Sequence, residues 1–205
     1  MKKIHSSKLK PYPLPGYLQS GMEHNIRKAP LWNFPDLPDM EEDISFERLT
    51  FENRYDMLEI FEADKDQWVD ERFKDAEKLY HYVANLMIYG LHSPKHGSCD
   101  WLVYQAQKCI GVLHAFEFSR EDYDDLNRQC FVGYAFSSEV RGKDLALPIV
   151  NYFIQFLFEQ FDLLFVLAKV QAENTRSCRF LEKLGFHRKE GYLDVSCLFY
   201  EWHRS

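Results

Sequence analysis

The chain has 205 residues and a net charge of −7, with 46% apolar and 28% charged residues. This is the balance of a folded domain of ordinary size, which excludes general disorder, and the negative charge disfavours a nucleic-acid binder held by phosphate contacts. No stretch of 18 apolar residues predicts a membrane span, the first residues lack the apolar run of a secretory signal, and the five cysteines show no C-x-x-C spacing. Reduced thiols and a cytoplasmic location are expected.

Residues 1–43 hold six of the eight prolines and little periodicity, which predicts an extended arm; residues 44–205 form the expected domain. Charge is uneven. Residues 1–30 carry six Lys/Arg against Glu23 alone, whereas Asp36 to Asp75 carries fifteen Asp/Glu against five Lys/Arg. That excess reads either as a solvated helix face or as an acidic rim that attracts a cationic acceptor.

Ile44–Leu49 alternates as a strand does, and the apolar spacing predicts helices over 53–63 and 75–89. A loop follows, in which His92 and His96 flank Pro94 and so do not share a helical face as metal ligands would; no metal is expected. Strands are predicted at 101–106, 109–118 and 129–137, the last two joined by an acidic link over 119–128. An apolar helix then runs to about Gln160, and 164–170 reads as a strand buried on both faces. A helix over 174–184 stops at Gly185, and strands at 186–190 and 195–202 close the chain. The order β-α-α-β-β-β-α-β-α-β-β defines an α/β architecture, a mixed sheet with helices on its faces.

Two stretches carry chemistry. Tyr134-Ala135-Phe136-Ser137-Ser138-Glu139-Val140-Arg141-Gly142-Lys143-Asp144-Leu145-Ala146 is a strand and turn into a helix, whose unpaired amides make an anion site, with Arg141 and Lys143 adding positive charge. Its bland alternative is a polar turn capped by Asp144. In Glu173-Asn174-Thr175-Arg176-Ser177, Asn174 is a candidate N-cap, and Leu181-Glu182-Lys183-Leu184-Gly185-Phe186 ends that helix. Cys178 has no histidine paired with it locally, so a nucleophilic thiol is disfavoured.

Taken together, with a helix and a strand between them, these stretches resemble the GNAT superfamily of acyl-CoA-dependent N-acetyltransferases, nearest the branch that acetylates ribosomal-protein N-termini and small amines. The resemblance spans roughly residues 44–202. It implies a largely antiparallel seven-stranded sheet with a V-shaped opening between the fourth and fifth strands. It implies acetyl-CoA as acyl donor, its pantetheine beside Phe136, Ser137 and Ser138. The pyrophosphate would lie on Arg141, Gly142, Lys143, Asp144, Leu145 and Ala146. Asn174 and Ser177 would face the pantetheine arm, with Lys183 at the end of the same helix completing the set. Ser177 fits the family's catalytic serine. The acceptor implied is an amine-bearing small molecule or a protein N-terminus, and a homodimer is compatible with the family.

The sequence departs from the pattern in places. Asp144 stands where the phosphate motif has glycine, bringing bulk and like charge. Pro148 fits only the first turn of a helix, so the helix is expected to begin later than usual. Leu181 occupies the place of the family's tyrosine, and Phe131 that of a glutamate, so the resemblance assigns no general base. The residues themselves offer Glu117 and His114 on the middle strand, His114 having the ordinary alternative of a hydrogen-bonded core histidine. Two readings follow: an acetyltransferase acting on a primary amine, or a non-catalytic binding module of the same fold that has lost acetyl-CoA affinity.

Overall fold

The computed structural model describes residues 33–40, 43–91, 97–118, 128–190 and 196–203. The greater part of the proline-rich arm, His92 and His96, and most of the acidic link lie outside the described residues.

Seven strands form one sheet: β1 (Ile44–Arg48), β2 (Gly97–Gln105), β3 (Lys108–Phe118), β4 (Gln129–Phe136), β5 (Phe165–Gln171), β6 (His187–Lys189) and β7 (Cys197–His203). Their spatial order is β1-β2-β3-β4-β5-β7-β6. Every pairing is antiparallel except β4 with β5. Four helices accompany them: α1 (Arg54–Phe61), α2 (Ala76–Asn85), α3 (Ala146–Phe161) and α4 (Thr175–Lys183). This is the architecture the resemblance implies.

Two cores divide the sheet. Alternation in β3 sends Val112 to a core with Met57, Phe61, Leu79 and Val83 of α1 and α2. Leu113 and Ala115 join the other, with Ile149, Phe153 and Leu157 of α3 and Leu181 of α4. Trp101 of β2 is fully buried in this second core, edge-on to Phe153 and Phe156. The sequence preceding β1 contributes as well, since Phe34 and Leu37 are buried there, Phe34 against Phe118 and Phe161.

The turn before α3 settles two expectations. The N-cap is Leu145, with no side-chain cap bond, and not Asp144, which is exposed. Pro148 is thereby the third helical residue, where its missing donor costs no intrahelical bond, so the helix does begin late. The second helical stretch also differs from expectation. It is α-helical only to Asn85 and then opens into a π turn, Leu86–Gly90. Gly90 closes that turn tightly, since a Cβ there would meet Ser98 Oγ at 2.5 Å.

A candidate active site at the opening of the sheet

β4 and β5 pair only at their beginnings, Gln129 with Phe165, Cys130 with Val166 and Phe131 with Leu167. Beyond them each strand stays with its outer neighbour. β4 holds β3 as far as Phe136 opposite Gly111, and β5 holds β7 as far as Gln171 opposite Cys197. Gly111 permits the first of these, because a Cβ there would lie 2.7 Å from the Ala135 carbonyl. The two inner edges therefore diverge, and their backbone groups are left facing a cleft of about 420 Å³. Val132–Tyr134 and Ala168–Gln171 form its sides, and Asn174 and Ser177 open onto it from α4. Gln67–Glu71, between α1 and α2, roof it over.

Asn174 is the N-cap of α4, its side chain accepting from the Ser177 amide at 3.1 Å. That bond fixes Ser177 one turn into the helix, with its Oγ 3.0 Å from the Tyr134 hydroxyl. Burial pushes the Tyr134 hydroxyl well above its ordinary value, against the opposing pull of the Ser177 bond, so it stays protonated. Tyr134 thus brings from β4 a hydroxyl to the cleft, which Leu181, an apolar residue of the same lining, cannot supply.

The anion turn is partly occupied by the chain itself. The amides of Arg141 and Lys143 donate to the carbonyls of Ser137 and Val140. Gly142 takes a φ of +79°, a left-handed conformation suited to glycine. The Arg141 guanidinium donates to the Phe136 carbonyl at 2.8 Å, pairs with Asp66 at 2.6 Å and with Asp64, and so is tied to the roof segment. Arg176 of α4 pairs with the same Asp66 carboxylate. Although burial raises it, hydrogen bonds from Arg176 and the Trp68 amide hold the Asp66 carboxyl below the usual range. Ser137 is buried and its hydroxyl lacks a hydrogen-bond partner among the described residues, while Ser138, Lys143 and Lys183 are exposed.

The two proposed bases fare differently. Glu117 is skipped in the β2–β3 register, where Gly97 faces Phe118 and Ser98 faces Phe116; it has a φ of +54° and an exposed side chain. This is a β-bulge, and it removes Glu117 from the regular alternation of β3. His114 is in register, and its Nδ1 is bonded to Asp100 of β2, a carboxylate with no exposed surface. Tyr82 of α2 donates to the other Asp100 oxygen at 2.6 Å. Burial, reinforced by the Asp100 charge, pushes the Tyr82 hydroxyl well up, so it remains a donor. A buried carboxylate needs such partners. His114 also lies beside Gly133 of β4: a Cβ on Gly133 would be 3.6 Å from His114 Cβ. Gly133 lines the cleft, and His114 lines a neighbouring pocket against α2.

Asp100, Tyr82 and Tyr134 were given no site role from sequence, although Tyr134 heads the strand and turn that lead to Ala146. A signal existed for Asp100, one carboxylate inside the apolar run Cys99–Tyr104, which demands a buried partner. None existed for Tyr134, which alternates with Val132 and Phe136 like any core residue. Part of the acidic excess up to Asp75 is engaged within the protein. Asp64 and Asp66 hold arginines, Asp70 pairs with Arg72, Asp75 caps α2 and Asp56 accepts from Tyr104.

An open sheet with one parallel pair splayed at its centre, and a capped helix start facing the gap, is the fold that the resemblance to GNAT proteins implies. The description "Acetyltransferase (GNAT) domain" matches residues 45–187, and the chain belongs to that family. Comparison with curated proteins by sequence returns no match. Among solved structures, ribosomal-protein-S5-alanine acetyltransferase from Vibrio fischeri is similar, with a TM-score of 0.63 and 18% identity over 82% of this chain and 97% of that one. Spermidine N-acetyltransferase from Vibrio cholerae, solved with CoA and spermine, gives 0.56 and 16% over 78% and 95%. The N-acetyltransferase PseH from Campylobacter jejuni gives 0.54 and 14% over 80% and 99%. At these identities the likeness is one of fold. No helix among the described residues is long and apolar enough to cross a membrane.

Proposed function

We propose that the protein transfers the acetyl group of acetyl-CoA to a primary amine, and that the reaction takes place where the cleft passes Ser177. The observation that carries this reading is the Asn174–Ser177–Tyr134 arrangement at a β4–β5 opening with unpaired strand edges. Those edges suit the amides of a pantetheine arm, whereas Ser137 and Ser138 line a separate pocket with Asp56 and Glu59. The glycine turn and the amides at the start of α3 suit a pyrophosphate, provided that Arg141 yields its carboxylate partners or reaches past them.

The acceptor arrives as an ammonium, which has no lone pair. His114, oriented through Nδ1 by Asp100, takes one proton at Nε2 and passes it to solvent. The free amine attacks the thioester carbonyl carbon, forming the C–N bond. A backbone amide near Phe136 steadies the resulting oxyanion. Collapse breaks the C–S bond, and the second nitrogen proton reaches the sulfur through the Ser177 hydroxyl. Tyr134 acts through Ser177 by fixing where that hydroxyl points. The products are an N-acetyl amine and CoA.

The test is a thermal-stability titration with acetyl-CoA and with CoA, followed by release of free CoA thiol in the presence of an amine panel. Saturable stabilisation with thiol release supports the reading. No stabilisation by either ligand would leave a binding module of this fold. A second measurement concerns Asp144. Asp144→Gly removes an exposed carboxylate from the turn expected to meet pyrophosphate, and CoA should bind about tenfold tighter by calorimetry. Unchanged affinity in a folded variant would place the phosphates elsewhere.

A further inference from the structure

The pocket that His114 lines has a volume of about 570 Å³ and lies between α2, its π turn and β2. It is separate from the roofed cleft, yet the two adjoin at the His114–Gly133 pair. The roof segment and the residue after it border both, because Asp70 and Glu71 line the cleft and Arg72 the pocket.

The chemistry of its wall is one-sided. Arg72, Lys78, His81 and His114 line it together with Tyr82 and Tyr89, and no carboxylate among the described residues does. The acids near it are already engaged. Asp100 lies buried beneath, bonded to His114 and Tyr82, and Asp70 grips Arg72 through Nε and Nη2. Arg72 is held in place from a second side by the Tyr82 ring, with its guanidinium carbon 4.6 Å from the ring centre. Asp75 turns to the amides of Glu77 and Lys78 as the α2 cap. Lys78 has no carboxylate partner among the described residues. The Lys78 ammonium on an open wall, with aromatic rings for packing beside it, is what an anionic group selects.

We infer that this pocket holds the acceptor, and that the acceptor is a small amine also bearing a carboxylate or phosphate, its acidic group on Lys78 and its amine at His114 Nε2. The inference rests on the acetyltransferase reading for the role of the amine, but the recognition of the acid is a property of the pocket itself. It reverses the expectation of a cationic acceptor drawn by acidic residues.

The matched probes are O-phosphoethanolamine and ethanolamine, which differ in the anionic group alone. Titrated into the ¹⁵N-labelled full-length chain, O-phosphoethanolamine should shift amides of Lys78, His81, Tyr82 and His114 saturably, and ethanolamine should not. Lys78→Glu, an exposed helix position outside the packed core, should weaken that binding at least tenfold, and Lys78→Arg should restore it. Equal response to both probes, shifts elsewhere in the chain, no saturable shift, or indifference to Lys78→Glu would each overturn the inference. Acetyl-CoA binding and thiol release are measured separately, so a failure here leaves the acetyltransferase reading to its own test. Within the thiol-release assay, preference for spermidine over acid-bearing amines would count against the inference while supporting that reading.

Discussion

Ser177→Ala is expected to lower kcat by about 10²–10⁴-fold while acetyl-CoA affinity changes little. The Ser177 hydroxyl has its largest role as charge develops on the departing sulfur, so its loss acts on the transition state more than on binding. The backbone should tolerate the change, because the cap bond runs from the Ser177 amide to Asn174 and survives substitution of the side chain. Tyr134→Phe provides the graded companion. It removes one hydrogen bond to Ser177 and keeps the ring that packs 4.9 Å from Phe180, so a loss of up to about tenfold is expected. Steady-state kinetics on any accepted amine, with an unfolding curve for each variant, decide the matter. Full turnover per folded molecule in Ser177→Ala would reduce Ser177 to a helix-start residue.

The second large effect is expected at the His114–Asp100 pair. His114→Gln keeps a polar group of similar length but cannot take a proton near neutrality, and kcat/KM should fall about 10²–10⁴-fold. Asp100→Asn keeps the shape and alters which ring nitrogen carries the proton, so it too should lower turnover. Asp100→Ala is different in kind. It strands the Tyr82 hydroxyl and the His114 ring beside a new cavity, and stability should fall by about 3–5 kcal/mol. A base role and a structural role therefore separate: in the first, His114→Gln is inactive but stable. In the second, His114→Gln keeps its turnover and loses stability in line with a broken buried contact. Chemical denaturation alongside the kinetics reads both.

The fold was legible where local signals and their order agreed. Asn174 and Gly185 mark the two ends of α4, and both lie where the capping rules put them, Gly185 with a φ of +91°. Pro148 signalled a late start for α3, and Leu145 as N-cap is that late start. The opening between β4 and β5 followed from the family resemblance, whereas periodicity alone says nothing about where two strands part. The reach of Tyr134 to Ser177 joins residues 43 apart in sequence across the opening, and no spacing rule encodes such a contact. The tie between Asp66 and Arg141 spans 75 residues and is equally silent. Glu117 shows the opposite failure: its alternation looked regular, and a single bulged residue changed its surroundings.

Asp66 binds three stretches of chain at one carboxylate: its own roof segment, the turn after β4 through Arg141, and the start of α4 through Arg176. The bodies beneath are joined by apolar packing, which salt does not weaken, but this fastening is made of charge, and Arg176 is 57% exposed at its side chain. The distance over which such charges act shrinks from about 8 Å in physiological salt to about 3 Å at 1 M. The Arg176 arm of this fastening therefore loosens with ionic strength before the more buried Arg141 arm does, and the apolar packing is not weakened in that way.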